Sequence, residues 1–136
     1  MRFWLMQPRD FSDFADQLNL QQGLHCEALY RTATGRWYYS LYNEVKSWLE
    51  NRFADVWKNT PGSSHERLSY CCYELQRTNF DMDFSKLGRN LESMRKQRVH
   101  ADYTLDQPYR LIDMQASQLL FQDINTHLDK MKNKYP

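Results

Sequence analysis

Apolar residues recur along this chain at spacings of three and four, and no stretch alternates convincingly between apolar and polar. That pattern predicts helices and no strands. A first helix is expected to start near Asp10 or Ser12, with Phe11, Phe14, Ala15 and Leu18 on one face. Gly23 marks a break. A long helix then spans about Cys26 to Phe53, carrying Ala33, Trp37, Leu41, Val45 and Leu49 in steps of four. Gly35 inside it costs about 1 kcal/mol relative to alanine, which points to close packing or a bend. Asn59 to Ser64 reads as a loop, and Ser63 with Glu66 three residues on is a capping-box signature for a third helix reaching about Gln76. A polar loop from Arg77 to Asp83 leads into a fourth helix, from about Phe84 to Ala101. Asp106 ahead of Pro108 marks the start of a last helix to about Met131, with Leu111, Ile112, Leu119, Leu120, Ile124 and Leu128 on its apolar side. Residues 1–9 show no period and are expected to form an extended arm, with 132–136 a tail. The whole reads as an all-α, single-domain bundle of about five helices, built from residues 1–136.

Composition supports a helical core and removes several function classes. Aromatic residues make up 15% of the 136, with only four glycines and four prolines, which suits a bundle better than a turn-rich sandwich. With 18 Lys+Arg against 17 Asp+Glu, no global basic field draws in nucleic acid, so any such contact needs a local patch. No apolar run is long enough to span a membrane, and Met1 to Asp10 does not read as a signal peptide. Cys26, Cys71 and Cys72 have neither metal spacing nor a disulfide framework. The expectation is a reduced, cytoplasmic protein with no membrane partner, no metal and no cofactor. Glycine-rich phosphate loops, nucleophile elbows and zinc motifs are absent from the sequence.

The fourth helix carries the candidate chemistry. Leu87, Leu91 and Met94 form an inward stripe that continues at helical spacing to Arg98 and Asp102, with Arg95 beside it. A guanidinium on that line must be paired, and Asp102 stands four residues after Arg98, the spacing of a helical salt bridge. His100 lies about 140° around the helix from Arg95. Either the helix ends before His100 and the chain turns it back, or the ring faces solvent or another subunit.

Two segments resemble the HEPN superfamily of helical domains. Arg31 to Tyr42 is similar to that family's early long helix, with its arginine, small residues and paired tyrosines, and Arg95-x4-His100 fits the R-x4-6-H signature of its ribonucleases. The likeness spans roughly Phe11 to Met131. It departs from the family at Lys96, where a small polar residue is usual, and at Tyr103, which follows His100 by three positions rather than two. Arg98-x-x-Ala101-Asp102-Tyr103 also resembles a HEPN-like variant that does not always keep the histidine. The resemblance implies a metal-independent endoribonuclease of toxin or defence type, acting as a homodimer and held in check by an antitoxin or other regulatory protein. In that role His100 exchanges a proton with the ribose 2′-OH or the leaving oxygen, and Arg95 clamps the phosphate. Arg98, Asp102 and Tyr103 support them. Arg31, Arg36 and Tyr39 are candidates for RNA or dimer contact, although both arginines suit helix ends and carboxylates inside the bundle better than phosphate. The alternative is a catalytically silent HEPN-like module that binds a partner protein, a nucleotide or RNA. His65 reads as part of a helix cap with no further task.

Overall fold

The computed structural model describes residues 7–20 and 27–136, and within them six helices and no strand. They are α1 (Pro8–Leu20), α2 (Glu27–Arg52), α3 (Ala54–Asn59), α4 (Ser64–Asn79), α5 (Met82–Tyr103) and α6 (Leu111–Lys134). Gly23, His25, Cys26 and most of the expected arm lie outside the described residues. Pro8 and Arg9 already belong to α1, whose start is fixed by the Asp10 carboxylate accepting the Gln7 N–H at 2.7 Å.

The all-α expectation holds, with α3 as an additional short helix. Six residues are too few to display a period, so this turn was hidden in the stretch before the 59–64 loop. Ser63 caps α4 as its spacing predicts, accepting from the Glu66 N–H. The polar loop expected between Arg77 and Asp83 shrinks to Phe80 and Asp81. Phe80 takes the left-handed conformation that closes α4, and Asp81 caps α5 by accepting the Asp83 N–H at 3.0 Å.

Helix α2 is the axis of the molecule and packs against every other helix. Its steps of four, Trp37, Leu41, Val45 and Leu49, are fully or almost fully buried against Leu87 and Met94 of α5 and Ile124 and Leu128 of α6. Each such side chain contributes about 1.5–3 kcal/mol by leaving water. The buried face of α6 differs from expectation. Met114, Ser117, Phe121, Ile124, His127, Leu128 and Met131 point inward, whereas Leu111, Ile112 and Leu119 are exposed. The inward polar groups are satisfied: Ser117 by Tyr109 and Gln97, and His127 by donating Nε2–H to the Asp83 carbonyl at 3.0 Å. Nor does α6 begin at Asp106. Tyr109 dips into the core with its N–H held by Glu27, so the chain runs extended through Arg110 before the helix starts. The expected tail is also tied down. Lys132 pairs with Glu44, Lys134 with Asp81, and the Tyr135 ring packs on Phe84.

Two glycines set how closely helices approach. A β-carbon on Gly35 would lie 3.1 Å from Asp102 Oδ1, so the close-packing expectation for this position is met by α5. A β-carbon on Gly88 would lie 2.8 Å from the Tyr73 ring and 3.2 Å from Cys72 Cβ, which holds α4 tightly against α5. Gly88→Ala should therefore lower stability by about 1–2 kcal/mol, overpacking outweighing a helix-propensity gain of about 1 kcal/mol. Urea unfolding checks this, and an unchanged or higher midpoint would show that α4 gives way freely.

Candidate functional site

The inward stripe of α5 ends in a charged cluster rather than a cavity. Arg98 is only 7% exposed, and its Nε donates to Asp102 Oδ2 at 2.9 Å. Its Nη2 donates to the hydroxyls of Tyr39 and Tyr103, and the guanidinium lies 4.9–5.7 Å from the ring centroids of Tyr38, Tyr39 and Tyr103. Burial works against the charge here, but Tyr39, Asp102 and Tyr103 outweigh it and hold the guanidinium above its ordinary pKa. Gly35 leaves the room in which the Asp102 carboxylate sits. Four of the residues singled out in the sequence thus come together, with Nε and Nη2 of Arg98 both directed at protein acceptors.

Arg31 is also used internally. One of its nitrogens donates to the carbonyls of His100, Ala101 and Thr104, the other terminal nitrogen to Gln107, and Nε to Glu27. Of these, the Ala101 carbonyl at the end of α5 has no backbone donor of its own, whereas the His100 and Thr104 carbonyls also accept the Thr104 and Gln107 N–H groups at 3.3 Å. Arg36 stands exposed over the Phe11 ring, 5.9 Å from its centroid.

Helix α5 runs through His100 without ending, so the chain does not turn that ring back toward Arg95. The imidazole packs edge-on against Tyr109, with centroids 5.3 Å apart, and its Nε2 is buried with no hydrogen-bond partner. Beneath it runs a hydroxyl chain from Thr34 through Tyr109 and Ser117 to Gln97. Within one copy Arg95 and His100 do not meet.

Arg95 faces a different space, a cavity of about 570 Å³ between α4 and α5. Its lining includes Tyr38 from α2, His65, Glu66 and Tyr70 from α4, and Glu92, Arg95 and Lys96 from α5. His65 Nδ1 is 2.6 Å from the Tyr38 hydroxyl, and the imidazole stacks loosely on Tyr42 with centroids 4.7 Å apart. Burial, then the charges of Arg98 and Arg95, pull the His65 pKa below its ordinary value. Burial pushes the Tyr38 hydroxyl far up, so the phenol stays protonated. Among the described residues neither Arg95 nor Lys96 forms an ion pair, and Glu66 and Glu92 are likewise unpaired.

No family model, curated protein or solved structure matches this chain. What the cavity can do must come from its own residues. It offers two unengaged cations, a neutral imidazole held through one nitrogen, and an exposed aromatic ring at Tyr70. That set suits a phosphate-bearing ligand of about nucleotide size. His65 is the member that sequence reasoning passed over, because its place beside the Ser63 cap already accounted for it.

Proposed function

We propose that this chain is a HEPN-like helical module that binds RNA, one or two phosphates entering the cavity between α4 and α5. The observation that carries this is Arg95 and Lys96 at one cavity, neither paired with a carboxylate. Free guanidinium and ammonium groups side by side favour an anion, and the arginine fork suits phosphate oxygens. Glu66 and Glu92 in the same lining keep the overall charge low, which favours a flexible single strand over a stiff polyanionic duplex. Tyr70, 44% exposed, supplies a face for base stacking. Fluorescence anisotropy with a labelled single-stranded RNA, in EDTA, tests the proposal. Arg95→Ala with Lys96→Ala should weaken binding at least tenfold and flatten the salt dependence by roughly one to one and a half logarithmic units of slope. Equal affinity in the folded double variant would remove the cavity as the binding site.

The endoribonuclease expected from Arg95-x4-His100 is a second reading, favoured by the orphaned Nε2 of His100. It calls for a homodimer in which one copy's Arg95 reaches the other's His100, with the 104–110 connection opened to uncover the ring. An antitoxin or regulatory partner belongs to that reading.

A further inference from the structure

We infer that a second cavity, sharing Tyr70 with the first, reads a guanine base of the bound strand through Asp55 and Asn59. This rests on the RNA-binding reading of the neighbouring cavity and adds base selectivity to it. The second cavity, of about 390 Å³, lies between α3 and α4. Tyr70 lines it and also lines the cavity that holds Arg95 and Lys96. The two spaces share that wall, so a nucleotide seated against Tyr70 presents its phosphate to one and its base to the other. Gly62 fixes the place of the ring. Its φ of +113° suits glycine, and a β-carbon there would lie 3.2 Å from both Cδ2 and Cε2 of Tyr70. The turn closes this tightly on the ring because that carbon is missing.

The chemistry of the two linings differs. The first holds the unpaired cations, whereas the second has two carboxylates, Asp55 and Glu74, and no cation. Both oxygens of Glu74 accept from Arg77, which leaves Asp55 as the carboxylate with no ion pair among the described residues. Such a space repels phosphate and draws in N–H donors. Asp55 and Asn59 stand four residues apart on α3, so they share one face with about 5–6 Å between β-carbons. Val56, Pro61 and the Tyr70 ring supply apolar walls for a flat base. Guanine alone among the four RNA bases presents two adjacent donors, N1–H and the N2 amine, beside an acceptor, O6. The Asp55 carboxylate accepts both donors side by side, and the Asn59 amide donates to O6. Adenine and cytosine set a ring-nitrogen lone pair next to their one amine, which the carboxylate repels. Uracil sets its single N–H between two carbonyls. A lysine side chain from a protein would answer Asp55 but leave the Asn59 amide and the aromatic wall unused.

Fluorescence anisotropy in EDTA tests this with labelled oligouridine, plain or carrying one central guanosine, inosine, 7-deazaguanosine, adenosine or cytidine. Wild type should bind the guanosine strand about tenfold or more tightly than the uridine, adenosine and cytidine strands. Inosine, which lacks the N2 amine, should fall between them. The 7-deazaguanosine strand, whose reading edge is intact, should match guanosine. Asp55→Asn and Asn59→Ala, both at exposed positions, should bring the guanosine preference close to unity. Arg95→Ala with Lys96→Ala should weaken all the strands together. No binding of any strand would overturn the RNA-binding reading and this inference with it. Binding that ignores the base would leave that reading standing and overturn the inference. A guanosine preference kept in folded Asp55→Asn and Asn59→Ala would overturn the assignment to this cavity. Oligolysine that binds more tightly than RNA, and is lost in Asp55→Asn, would overturn it in favour of a basic protein segment. If either variant does not fold, the modified strands on wild type decide: inosine equal to guanosine overturns the contact.

Discussion

Arg31→Ala should lower stability by about 3–4 kcal/mol, the summed loss of charge-assisted bonds being far from additive. For a chain of this size that corresponds to roughly 10 °C in Tm. The single guanidinium serves the His100 and Ala101 carbonyls at the end of α5 and the Thr104 and Gln107 carbonyls of the connection to α6. It also holds Glu27, whose other oxygen accepts the Tyr109 N–H at 2.8 Å. That N–H, then Arg31 itself, keeps the Glu27 carboxyl below its ordinary pKa. Its contribution is present at neutral pH and is lost as pH falls through that lowered value. Removing Arg31 leaves the Ala101 and Gln107 carbonyls without a donor and takes the second donor from those of His100 and Thr104, so the damage should concentrate at residues 100–110. Hydrogen exchange should show the Thr104 and Tyr109 amides losing protection well before α2 does. Arg31→Lys should recover little, because an ammonium cannot fork between two sets of carbonyls. A Tm within about 3 °C of wild type would show that water replaces the clamp without penalty.

Arg98→Ala should be nearly as damaging, at about 3 kcal/mol. It leaves Asp102 beside Gly35 with no cation, removes the donor to Tyr39 and Tyr103, and takes the guanidinium from among three tyrosine rings. Asp102 keeps contact with solvent, its side chain being 29% exposed, which holds the effect below that of a fully buried pair. A double-mutant cycle with Asp102→Asn separates the parts. The double variant should be more stable than the two single losses predict, because no half-buried carboxylate is then left without its cation. Additive losses in chemical denaturation would mean that the tyrosine contacts, and not the ion pair, carry the effect.

The difference between what local spacing reveals and what packing decides is visible within α5. Leu87, Leu91 and Met94 continue to Arg98 and Asp102 on one line, so the ion pair was legible: both partners sit on the same helix, four residues apart. Gly35 was legible as a point of close approach because nothing else excuses a glycine in mid-helix. The meeting of His65 with Arg95 was not, since thirty residues separate them and only the seating of α4 on α5 brings them together. The inner face of α6 was misread for a related reason. Leu111, Ile112 and Leu119 look like core, while Ser117 and His127 look like surface until Tyr109 and the Asp83 carbonyl are in place to satisfy them. A buried polar side chain is justified by a remote partner, and that partner cannot be read from its neighbours in the chain.

The short link of Phe80 and Asp81 has a consequence for the order in which the chain acquires its structure. It joins two long helices whose mutual contacts are close in sequence, so little chain entropy is lost in bringing them together. α2 and α6, by contrast, meet only after about sixty or more intervening residues have been gathered in. The α4–α5 hairpin is thus the natural nucleus of folding, and His65, Glu66, Arg95 and Lys96 all reside on it. Their shared cavity is outlined early, and Tyr38 arrives with α2 to complete it.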